Sequence, residues 1–136
     1  MNENQSAPVR RRALSYTDQK RAFIHMNQLE RSLEIIATYR KHGWQLRRVL
    51  MTSETRAEAG KRAERLFENV RIDDALIDAL WFSRTSHRNR EAWELRLVAD
   101  VPYALFETFA AGQSEEARED VRREMEARMR EYLAKD

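Results

Sequence analysis

Arg84, Arg88 and Arg90 fall within seven residues, with Trp81 three positions before the run and Trp93 three after it. Guanidinium groups contact phosphates and aromatic faces stack on bases, the two interactions that hold single-stranded nucleic acid. Arg47 and Arg48 add a second basic pair. These five arginines, with Trp81 as the stacking ring, form a candidate RNA or single-stranded DNA site. The competing reading puts both tryptophans in a core. The parity of Trp93 with Leu95 and Leu97 turns that ring inward, whereas Trp81 has the opposite parity to Leu80 and Phe82.

A second constellation is acidic. Asp78 precedes one strand-like run and Glu94 lies in the next, followed by Arg96, so two carboxylates and a basic group could serve a Mg²⁺-dependent nuclease. No lysine occurs between Lys61 and Lys135, however. A turn centred near residue 88 also sets Glu94 opposite Phe82, four positions from Asp78. That separation is roughly 13 Å at about 3.3 Å per residue, too far to share one ion. Asp73, Asp74 and Asp78 lack the glycine-bearing loop of a calcium hand, and His25, His42 and His87 form no metal pair at helical spacing. With three glycines and no Gly-x-Ser-x-Gly, neither a phosphate cradle nor a serine elbow is built into the sequence. No cofactor is expected.

The 136 residues suit one domain, and 42% hydrophobic residues supply a core. The absence of cysteine excludes disulfides, thiolate metal sites and cysteine nucleophiles, and fits a cytoplasmic location. No apolar run approaches the roughly 20 residues that span a bilayer, so no membrane partner is expected. Arg10, Arg11 and Arg12 are not followed by an apolar stretch, which argues against a secretory signal. The net charge of +2 conceals an asymmetry: residues 1–50 carry ten basic and four acidic side chains, residues 51–136 fifteen and nineteen.

The positioning elements follow from periodicity. Residues 1–14 read as a disordered basic arm, and 15–136 as a single domain. Ala22, Met26, Leu29, Leu33 and Ile36 make one helical stripe, predicting a helix over 16–42 with a box at Ser15 and Asp18 and a stop at Gly43. Residues 44–52 read as a short strand with Trp44, Leu46 and Leu50 on one side. A helix capped by Ser53 is expected over 54–68, and a loop with a helical turn capped by Asp73 over 70–78. Residues 80–85 and 93–99 read as an antiparallel hairpin. Residues 103–109 suit either a short helix or a strand, and their aromatic content favours the strand, with Tyr103, Leu105 and Phe109 inward. Ser114 caps a final helix whose stripe is Ala117, Val121, Met125, Met129, Tyr132 and Leu133.

The expected fold is therefore α+β in the order α-β-α-β-β-β-α. It has a mostly antiparallel sheet of three to four strands and helices mainly on one face. With nothing catalytic to compete, the leading functional expectation is a non-catalytic binding or regulatory module. It would act through protein–protein contacts, as a homodimer whose terminal apolar stripes find a partner. Nucleic-acid binding through the arginine-rich hairpin is the alternative, and the Mg²⁺ enzyme a weaker one.

Overall fold

Leu80 and Phe82 alternate with Ala79, Trp81 and Ser83, and all five are buried, so the strand they form has no solvent face. Such a strand must lie in the middle of a sheet covered on both sides. The computed structural model, which describes residues 26–135, has that arrangement. In chain order the elements are α1 (Gln28–Lys41), β1 (Gln45–Met51), α2 (Ser53–Ala59), α3 (Lys61–Leu66), β2 (Arg71–Asp74), β3 (Ala79–Thr85), β4 (Glu91–Leu97), β5 (Ala104–Phe109) and α4 (Glu115–Ala134). The five strands form one mixed sheet in the order β2-β1-β3-β4-β5. β1 runs parallel to β2 and antiparallel to β3, and β3–β4 and β4–β5 are antiparallel.

The α+β class and the rough order of elements agree with the sequence reading, and residues 104–109 are a strand. Three expectations are corrected. The sheet is mixed and five-stranded, not a mostly antiparallel sheet of three or four. The loop expected over 70–78 contains β2, which pairs Arg71 to Asp74 with Arg48 to Met51. Helices cover both faces rather than mainly one. Leu29, Ile35 and Ile36 of α1 join Ala63 and Phe67 over Val49, Leu80 and Phe82. On the opposite face, Met125 and Met129 of α4 cover Trp81, Trp93, Leu95 and Phe109.

Local boundaries also shift. Of the helix expected over 16–42, the described part runs from Gln28, and Asn27 is extended and caps it through a box with Glu30. The residues before Met26, including the expected basic arm and the Ser15–Asp18 box, lie outside the described residues. The cap of α2 is Thr52, not Ser53, its hydroxyl accepting from Thr55 N. Gly60, at φ +56, divides the expected 54–68 helix into α2 and α3. In β1 the register slips between Leu46, opposite Phe82, and Arg48, opposite Trp81. This bulge moves Trp44 and Leu46 to the α1 face with Val49, while Leu50 faces α4. α4 begins as the sequence predicts, with Ser114 Oγ accepting from Ala117 N at 3.1 Å. Among the described residues, no helix is long and apolar enough to cross a membrane.

Candidate functional site

The bulge in β1 helps build a cleft lined by arginines. In a regular strand Arg47 and Arg48 would point to opposite faces. With the extra residue inserted, both line the α4 side, and the Arg47 guanidinium carbon lies 5.7 Å from the Trp93 ring centre. Arg71 of β2 comes alongside because it pairs with Arg48. From α4, Arg118 and Arg122 project toward the same place, one helical turn apart. The five arginines, with Glu91, Trp93 and Glu115, line an open cleft of about 440 Å³.

Carboxylates hold most of these arginines. Arg48 makes a two-pronged contact with Glu119 at 2.7 and 3.1 Å, tying β1 to α4. Arg122, only 2% exposed, donates to Glu115 and Glu119 at 2.8 Å each, and its guanidinium lies 4.0 Å from the Trp93 ring centre. Arg118 donates to Glu91 at 3.0 Å and to the Ala110 carbonyl at 2.8 Å. Arg71 pairs with Asp73. Arg47 makes no ion pair among the described residues. The Nε–H groups of Arg118 and Arg122 are buried and have no partner among the described residues.

The electrostatics follow from these pairs. The Arg48 hydrogen bond holds the Glu119 carboxyl down at about 2, with help from Arg122. The Arg122 hydrogen bond likewise lowers Glu115. Burial works against the charge of Arg48, but Glu119 outweighs it and the guanidinium pKa is raised.

The sequence candidates distribute unevenly around this cleft. Arg47 and Arg48 belong to it. Arg84 is elsewhere, over the Trp44 ring at 4.5 Å and donating to the His42 carbonyl. Arg88 sits at the hairpin tip with φ +57, and Arg90 donates to Thr108 on β5. Trp81 is a correction: it is 0% exposed, and its indole N–H donates to Glu126 at 2.8 Å, so no base can stack on it. The expected single arginine-and-tryptophan surface is therefore not assembled.

Asp78 and Glu94 stay apart, as the register of Glu94 opposite Phe82 requires. Asp78 accepts from Thr52 N, Thr55 Oγ1 and Gln28 Nε2 at 2.6–2.9 Å, stitching the starts of α1 and α2 to the entry of β3. Glu94 accepts from the Tyr39 hydroxyl, whose pKa is raised by burial and by that carboxylate. No group of acidic and histidine side chains suited to a metal ion occurs among the described residues.

Sequence reasoning missed Arg71, Arg118, Arg122 and their acidic partners. One signal was available: Glu115, Glu119, Arg122 and Glu126 recur at spacings of three and four beside the Met125–Met129 stripe, which places charges on the buried side of α4.

The outer edge of β5 is a second surface. The two ends of the sheet differ. β2 is four residues long and carries Arg71, Asp73 and Asp74. β5 reads Ala-Leu-Phe-Glu-Thr-Phe, with no lysine, proline or bulge. Phe106 is 55% exposed, and Tyr132, also exposed, stacks at 3.6 Å on Tyr103 just before the strand.

Comparison with protein-family models, with curated proteins and with solved structures finds no match to this chain.

Proposed function

We propose that this chain is a non-catalytic binding module that works through protein–protein contacts, with a second copy of itself as the first partner, joined along β5. The contrast between the two sheet edges carries this reading. Natural sheets blunt their free edges with short strands, charges, prolines or bulges, because an open row of N–H and C=O groups templates further pairing. β2 has the first two protections. β5 carries charge only toward its end, where Arg90 donates to the Thr108 carbonyl and Glu107 accepts from Thr108 N, and its first half is flanked by apolar side chains. Antiparallel pairing of β5 with its symmetry mate satisfies both edges with one self-complementary contact, as a two-fold interface requires. It also covers Phe106.

Size exclusion with light scattering over a wide concentration range tests this. A dimer whose mass falls toward that of the monomer on dilution is expected, with Phe106→Lys shifting the equilibrium toward monomer. A strictly monomeric protein at every concentration overturns the reading, as does a dimer that Phe106→Lys leaves untouched.

A further inference from the structure

We propose that the cleft between the β1 bulge and the N-terminal half of α4 is a binding site for a phosphate group, such as that of a small phosphorylated ligand. Three observations converge on it. First, the bulge re-aims Arg47 into a place already occupied by four other arginines. Bulges that redirect one side chain beside a cleft are features of functional sites rather than defects of a strand.

Second, one arginine of the cleft is left without a carboxylate. Arg48, Arg71, Arg118 and Arg122 each have one, whereas Arg47 is exposed and has none among the described residues. The resident carboxylates fix the guanidinium planes, so most of the ordering entropy is spent before a ligand arrives.

Third, the guanidiniums approach from three elements, β1, β2 and α4. A phosphate has enough acceptor oxygens to be contacted from several sides at once, and arginine is the side chain that pairs with it through two parallel hydrogen bonds. The cleft, at about 440 Å³, lies within the usual range for small-ligand sites, roughly 300–1,000 Å³. Trp93 in its wall supplies an optical reporter.

The test titrates the full chain with inorganic phosphate at constant ionic strength, with sodium chloride as the matched control. Tryptophan fluorescence and melting temperature are the readouts. Phosphate is expected to change the fluorescence and raise the melting temperature where chloride does neither. Arg47→Ala should weaken phosphate binding by about tenfold, the loss of one charge-assisted contact. Arg47 is exposed and outside every ion pair described, so this variant keeps the fold. Arg84→Ala removes the same charge from a distant surface and should leave binding unchanged. An equal response to chloride overturns the proposal, and so does an equal loss in both variants, which would mean diffuse charge attraction. Binding that survives Arg47→Ala intact overturns it too.

Discussion

Glu119 accepts hydrogen bonds from Arg48 on β1 and Arg122 on α4, so one carboxylate clamps the last helix to the sheet. Its folded pKa, about 2, lies below the ordinary value of 4.5. A depressed carboxylate contributes stability that is complete above its unfolded pKa and is lost as pH falls through the folded one. The window for Glu119 is therefore about pH 4.5 down to about 2. The contribution is on the order of 2 kcal/mol, because 26% of the side chain remains in solvent and screening trims the pair. Glu119→Gln should lower the urea midpoint at neutral pH and flatten its decline between neutral and pH 3. If wild type and variant decline in parallel, some other carboxylate governs the acid limb. Nearby in the sheet, Trp81 shows how little parity decides alone. Read against Leu80 and Phe82 it points away from a core, and it does, but into a second core under α4.

The break between α2 and α3 rests on one residue. Gly60 has φ +56 and ψ −143, a region open almost only to glycine. A Cβ there would meet no atom within 4 Å, so the cost of Gly60→Ala is backbone strain, not a clash. A loss of about 1–3 kcal/mol is expected. Gly112 is equally open but does not have a positive φ, and Gly112→Ala should be neutral or slightly stabilising. Thermal melts of the two variants check the contrast, and equal shifts would show that φ at Gly60 is not what matters. The same positions explain what could be read beforehand. α4 was legible from its helical spacing and β4 from its alternation, while β5 was read as a strand from its aromatic content. The start of α1 after Asn27 and the break at Gly60 were not legible, because Met26, Leu29, Ala59 and Ala63 continue a helical rhythm across them. Neither was β2, whose Arg-Ile-Asp-Asp has one apolar residue and becomes a strand through its pairing with β1. The arginine cleft was half legible, in Arg47 and Arg48. Its remainder depends on a bulge and on a strand pairing that no local pattern announces.

At the scale of the whole molecule, β3 belongs to both cores. Leu80 and Phe82 pack under α1, and Ala79 and Trp81 under α4, all fully buried. Neither helical layer can leave without exposing one side of a strand that the other layer still covers. Asp78 adds a second coupling, since its carboxylate binds α1 and the start of α2 while its carbonyl accepts from Val98 N beyond β4. A domain of this size with shared central strands should therefore unfold in one cooperative step. The tryptophans provide the test, because Trp44 packs on the α1 side and Trp81 and Trp93 on the α4 side. In Trp44→Phe, fluorescence reports the α4 core alone, whereas far-ultraviolet circular dichroism follows all the helices. The urea midpoints of the two signals should coincide, at one fixed protein concentration because self-association would shift both. Separated midpoints would mean that α4 melts from the sheet as a unit of its own. In that case the clamp at Glu119, rather than the sharing of β3, would be what keeps the arginine cleft assembled.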